Sequence, residues 1–172
     1  MLAQYIQLMN LIHRLCLAAA GLCIILITLI IPYGVFTRYV LNSASSWPEP
    51  LAILTMIWIS FLSAIVCYRE NLHIGVGILP AMLSGPAKRI LGVIIEVCMM
   101  VTNVFMFWWG IKLVNTTWYQ TIAEFPVVSV GVSYLPVPIG GLLTSLFILE
   151  RFLTQRFFEE PSDNAVSAIS TE

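Results

Sequence analysis

"LCLAAAGLCIILITLIIPYGVFT", residues 15–37, carries no charged side chain. A hydrocarbon core of about 30 Å is crossed by about 20 helical residues, so this run is long enough to span a bilayer. Three more runs follow: 51–68 and 127–149 have no charge, and 90–111 has only Glu96. Lipid offers no partner to a free backbone N–H or C=O, so each run must be helical; none shows the period-two alternation of a barrel strand. The predicted fold class is an all-α integral membrane protein with four transmembrane helices in a single membrane domain, residues 1–172.

Composition agrees. The chain is 59% hydrophobic and 10% charged, with a mean hydropathy of +0.93, far outside the soluble range. The first run is about twice the length of a signal-peptide core, and Arg38 precedes the small residues Ser43, Ala44 and Ser45, so it reads as a retained helix. Arg14, Arg69, Lys88, Arg89, Arg151 and Arg156 fall on one side of the bilayer, Arg38 and Lys112 on the other. The excess of basic residues predicts that both termini are cytoplasmic. The turn between the first two spans then faces outward, into a periplasm.

Two segments are not spans. In "MLAQYIQLMNLIHRL" the residues Leu2, Tyr5, Ile6, Met9 and Ile12 recur at helical spacing, which suits either a helix lying in the interface or a continuation of the first span. The loop "RENLHIGVGILPAMLSGPAKR" is apolar but broken by Gly75, Gly77, Pro80, Gly85 and Pro86, and predicts a short interrupted segment on the membrane or on another subunit. Residues 161–172 read as a disordered tail. No basic run suggests nucleic acid.

Several chemistries lack their residues. Cys16, Cys23, Cys67 and Cys98 all lie in spans, away from the oxidising face, and the histidines, His13 and His73, lie outside the spans, where they cannot ligate a haem. There is no metal-ligand cluster, phosphate loop or nucleophile constellation, so no enzyme activity and no cofactor is expected.

Glu96 is the ionisable group within a span, and it shares a helical stripe with Gly92, Asn103 and Gly110. One reading is close helix packing, or pairing with Arg89; the other is ion or proton coupling. Arg38 and Glu49 flank the outward turn. They suit an interfacial arginine with a carboxylate at a helix start, a fixed ion pair, or contact with a partner chain. Trp47, Trp108, Trp109 and Trp118, with Tyr33, Tyr39, Tyr68 and Tyr119, form the expected aromatic belt at both interfaces. Trp58, near the middle of its span, is expected to pack against a helix. Pro136 and Pro138 fall near the middle of the last span and predict a kink whose freed carbonyls neighbours must satisfy.

Together these residues resemble the small membrane subunit, the Q or DctQ-like subunit, of tripartite ATP-independent periplasmic (TRAP) transporters. Arg38 and Tyr39 close the first helix and Trp47 and Glu49 open the second, as in that family; "IWISFLSAIVCYRE" with Trp58, "NLHIGVGILP" with His73, and "VGVSYLPVPIGGLL" with Tyr134, Pro138 and Gly140 match its later motifs. Where many relatives have two adjacent acidic residues, this chain reads Trp47-Pro48-Glu49-Pro50; Ser63 and Leu72 replace two common glycines.

The resemblance implies a scaffold in the bacterial inner membrane. It would support a large elevator-type subunit, which binds sodium, in the uptake of an organic acid, such as sialic acid or a C4-dicarboxylate, delivered by a periplasmic substrate-binding protein. Membrane lipids and those two proteins are the implied partners. A self-sufficient four-helix proton-coupled exporter and a membrane assembly protein without transport are the alternatives.

Overall fold

The computed structural model describes residues 2–43, 45–70, 86–123 and 125–154. Residues 71–85, where a short interrupted segment with His73 was expected, and residues 155–172, which include the expected disordered tail, lie outside them. Among the described residues five helices and one hairpin follow in order: α1 (Leu2–Tyr39), α2 (Pro48–Arg69), α3 (Pro86–Thr117), β1 (Thr121–Ile122), β2 (Phe125–Ser129), α4 (Val130–Tyr134) and α5 (Pro136–Thr154). Among the described residues four segments are long and apolar enough to cross a membrane: Gln4–Tyr39, Pro48–Arg69, Ile90–Thr117 and Val130–Leu153.

The N-terminal segment continues the first span as one unbroken helix. At 1.5 Å per residue α1 is about 57 Å long and α2 about 33 Å, so α1 outruns the bilayer that α2 just crosses. Its Leu8, Leu15, Leu22, Leu29 and Phe36 are exposed along one stripe, while Met9, Cys16 and Ala20 turn inward.

Local chemistry sets the breaks. Asn42, with φ 47°, takes the left-handed conformation that asparagine tolerates and turns the chain after α1. In α2, Pro48 and Pro50 occupy the first turn, where their missing N–H groups would have been unpaired in any case. The last span starts later than the sequence suggested, because residues 127–129 belong to β2: Thr121 faces Ser129 and Ile122 faces Phe125 in an antiparallel hairpin whose register shifts between the two pairs. Residue type and run length could not separate this short strand from a helix entry. Ser129 then caps α4, its Oγ accepting from the Gly131 N–H at 3.0 Å. Pro136 and Pro138 sit in the first turn of α5 and not in the middle of a helix; the break falls at Leu135.

The helices pack as a row, α1 on α2, α2 on α5 and α5 on α3. Burial follows this order: 39% of the α4–α5 spanning window and 28% of that of α2 are buried, against 11% for α1 and 17% for α3. The core lies between α1, α2 and α5 and is built by Met9, Cys16, Leu62, Ile65, Val66, Phe147 and Ile148. On the far side, α3 meets α5 through small residues. A side chain on Gly110 would touch Pro138 Cδ at 2.9 Å, and one on Gly141 would fall 2.6 Å from the Asn103 carbonyl oxygen. Such close approach is how helices gain contact where lipid gives no hydrophobic drive.

Candidate packing and partner-contact sites

Two groups of polar residues mark the two ends of the row. At the Arg69 end, α2 and α5 each present a pair of adjacent residues, Tyr68 with Arg69 and Glu150 with Arg151. Arginines suit these positions, near helix C-termini where the carbonyl dipoles favour positive charge.

Arg151 Nη1 donates to Glu96 Oε1 at 2.8 Å, and its Nη2 to the Tyr68 carbonyl at 3.0 Å. The Tyr68 hydroxyl donates to the other Glu96 oxygen, and the Arg151 guanidinium lies 4.6 Å from the Tyr68 ring centroid. Glu96 is 3% exposed, yet both its oxygens are engaged by charge-assisted or hydroxyl donors. On the other side, Arg69 donates to the Met9 carbonyl at 2.7 Å, to Asn10 Oδ1 at 2.6 Å and to Glu150 Oε1 at 3.2 Å. The Tyr5 hydroxyl donates to the Leu146 carbonyl at 2.8 Å, and His13 meets Glu70 at 3.1 Å. Every spanning helix is tied into this layer. A buried pair of this kind is costly to break from one side, by about 3–5 kcal/mol, because a charge is left without its partner.

At the opposite end lies the turn of Arg38, Tyr39, Trp47 and Glu49. Pro48 and Pro50 are buried, and a side chain on Gly34 would stand 3.2 Å from Pro48 Cβ. Trp47 is half-buried, its ring centroid 5.4 Å from that of Tyr33. It sits at the cap position of α2 without a side-chain cap bond, so its role within the chain is to pack on α1. Arg38, Tyr39 and Glu49 are exposed, and no ion pair joins Arg38 to Glu49 among the described residues. The turn is therefore fastened from inside by prolines and tryptophan, with its charges left outward.

The remaining predicted residues divide by position. Trp58 packs on a helix as expected, its indole donating to the Val132 carbonyl at 3.2 Å. Asn103 is buried and donates to the Met99 carbonyl of its own helix at 2.8 Å. Pro138 meets Gly110, and a side chain on Gly140 would stand 3.2 Å from Phe61 Cδ1. Tyr134 is exposed at the end of α4. His73 lies outside the described residues. The aromatic belt is one-sided: Tyr33, Tyr39, Trp47, Trp108, Trp109, Trp118 and Tyr119 lie at the Trp47 end, whereas Tyr68 turns inward to Glu96.

Tyr68 was expected only as part of the aromatic belt, and Glu150 and Gly141 were not singled out. Arg69 and Arg151 had counted only as topology charges. The available signal was the acidic residue beside each arginine, Glu70 after Arg69 and Glu150 before Arg151, a pattern suited to local neutralisation at a span end.

Residues 27–157 match the family described as tripartite ATP-independent periplasmic transporters, DctQ component. Two proteins of Haemophilus influenzae, each named "Putative TRAP transporter small permease protein", are similar along most of their lengths. One is 29% identical over 147 residues, covering 84% of this chain and 86% of that protein. The other is 19% identical over 140 residues, covering 81% and 82%. With four apolar spans and a family match over well over half its length, the chain belongs to the DctQ component of the TRAP transporters and is a multi-pass protein of the bacterial inner membrane.

Proposed function

We propose that this chain is the static small subunit of a sodium-driven TRAP transporter, a permease component and not an enzyme. Both termini lie in the cytoplasm. The chain supports a large elevator-type subunit in the uptake of an organic acid, such as sialic acid or a C4-dicarboxylate, delivered by a periplasmic binding protein. The sodium sites belong to the large subunit, and the Arg38, Tyr39 and Glu49 turn faces a partner protein.

The observation that carries this reading is the engagement of Glu96. An exporter that works alone needs a membrane carboxylate free to exchange its proton or ion. Here one oxygen is held by Arg151 and the other by Tyr68. A carboxylate held on both sides suits a fixed support better than a carrier.

The test is purification of the tagged chain from its own membranes, followed by reconstitution with the large subunit and the binding protein. Co-purification of a many-helix membrane protein, and sodium-dependent uptake that needs all three proteins, are expected. Glu96→Gln should keep the sodium dependence of that uptake, with any loss of uptake appearing as reduced complex yield. Proton-driven export by the chain alone, or normal assembly of Glu96→Gln with lost sodium coupling, would overturn the proposal.

A further inference from the structure

The row order divides the chain into two halves, α1 with α2 and α3 with α4–α5, which meet along the α2–α5 seam. Within each half the helices pack more extensively than across it. Polar contacts across the seam are concentrated at one end. There the Tyr68 hydroxyl reaches Glu96, Arg69 reaches Glu150 at 3.2 Å, Arg151 reaches the Tyr68 carbonyl at 3.0 Å, and the Tyr5 hydroxyl reaches the Leu146 carbonyl at 2.8 Å. Farther along the seam, at mid-span, the described polar contact is the Trp58 bond to Val132, with Phe61 packed on Gly140.

Besides these polar contacts, the seam is held by the apolar core between α1, α2 and α5. Apolar side chains in lipid tolerate sliding, because lipid tails replace the contacts that are lost. Directional, charged contacts do not, since a guanidinium moved off its carboxylate in a dry seam has no substitute. The geometry also alternates along the chain: Tyr68 turns to α3 and Arg69 to α1, while Glu150 faces α2 and Arg151 faces α3 and α2 at once.

We infer that Tyr68, Arg69, Glu96, Glu150 and Arg151 form a lock that fixes the angle between two otherwise separable helical halves. These are positioning residues: without them the halves still span the bilayer, but they hinge at the seam. The lock is a property of the chain itself and does not depend on what the assembled transporter carries.

The test uses the full chain in lipid nanodiscs, with Cys16, Cys23, Cys67 and Cys98 replaced and spin labels on pairs of exposed positions. Leu15→Cys with Ile94→Cys spans the seam; Leu15→Cys with Ile53→Cys, and Ile94→Cys with Leu142→Cys, each lie within one half. Arg151→Gln and Glu96→Gln should each broaden the Leu15–Ile94 distance distribution about twofold and leave Leu15–Ile53 at its original width; because the Glu96–Arg151 ion pair itself joins α3 to α5, Ile94–Leu142 should broaden too, but by less. Arg151→Lys, which keeps the charge but cannot bridge Glu96 and the Tyr68 carbonyl together, and Tyr68→Phe should broaden it by less. Joining Glu96→Gln to Arg151→Gln should recover part of the sharpness, because no unpaired charge remains. An unchanged Leu15–Ile94 distribution in both single variants would overturn the inference. Equal broadening of all three distances would also overturn it, since that means general loosening without a seam. If Arg151→Gln fails to insert, Tyr68→Phe and Arg151→Lys decide the same question on their own.

Discussion

The indole N–H of Trp58 donates to the carbonyl oxygen of Val132 at 3.2 Å, the acceptor that Pro136, four residues further on, has no N–H to reach. A helix continuing through residue 136 would have paired that carbonyl itself. The tryptophan on α2 thus repairs the break between α4 and α5, which explains its place in the middle of a span, far from any headgroup. Trp58→Phe keeps a smaller aromatic ring and removes the donor. It should lower stability by about 1 kcal/mol, the usual scale for one such bond, seen as a lower thermal midpoint of the detergent-purified chain.

Small residues on the α3–α5 contact lead to a second expectation. A side chain on Gly141 would meet backbone atoms, the Asn103 oxygen at 2.6 Å and the Phe107 nitrogen at 2.9 Å, whereas one on Gly21 would meet nothing within 4 Å. Backbone cannot swing aside as a side chain can. Gly141→Ala should therefore push the helices apart and cost about 1–3 kcal/mol, while Gly21→Ala stays within about 0.5 kcal/mol of the parent. Paired thermal melts of the two variants check this, and equal midpoints would show that α3 and α5 are not in such close contact.

How much of this was legible beforehand differs between the fold and the sites. The four spans could be read because a bilayer demands long uncharged helices, and the Glu96 stripe because small and polar residues recur at helical spacing. The entry to the last span was misplaced since "VVS" at 127–129 is equally apolar as strand or helix. Partners of Glu96 stayed hidden for another reason. Tyr68 and Arg151 are 28 and 55 residues away along the chain, and only the packing order of the row brings them together. Arg89, seven positions away in sequence, was the neighbour that helical periodicity alone could offer; its side chain lies outside what the structure describes.

Orientation across the membrane rests on the distribution of basic residues, six on one side against two on the other. In a background lacking the native cysteines, Ser45→Cys and Thr121→Cys should react with an impermeant thiol reagent added to intact spheroplasts, and Ser162→Cys should react only after the membrane is opened. Labelling of Ser162→Cys in intact spheroplasts would invert the topology, and with it the assignment of the Arg38 turn to the periplasm.

That turn gives the last expectation. Arg38 and Glu49 could have neutralised each other, but both are exposed and no ion pair joins them among the described residues. Nor is either needed to close the turn, because Pro48 and Pro50 are buried, Gly34 takes the contact with Pro48, and Trp47 packs on Tyr33. Charges that do nothing for the chain's own fold are available to a neighbour. Arg38→Glu and Glu49→Arg should therefore leave the stability of the isolated chain, followed by its thermal midpoint, within about 0.5 kcal/mol of the parent. Each should nonetheless reduce the yield of complex with the large subunit, or the uptake of the binding protein's ligand, by severalfold. The double reversal distinguishes the two sources of such a loss. If the residues pair with each other, exchanging both charges restores the attraction and the function; if each faces a partner, the exchange leaves both opposite the wrong charge and the defect persists. Persistence is the expected outcome. Full yield and full uptake in both single reversals would instead make Arg38 and Glu49 ordinary interfacial charges, the arginine reaching to headgroups and the carboxylate resting at the positive end of α2.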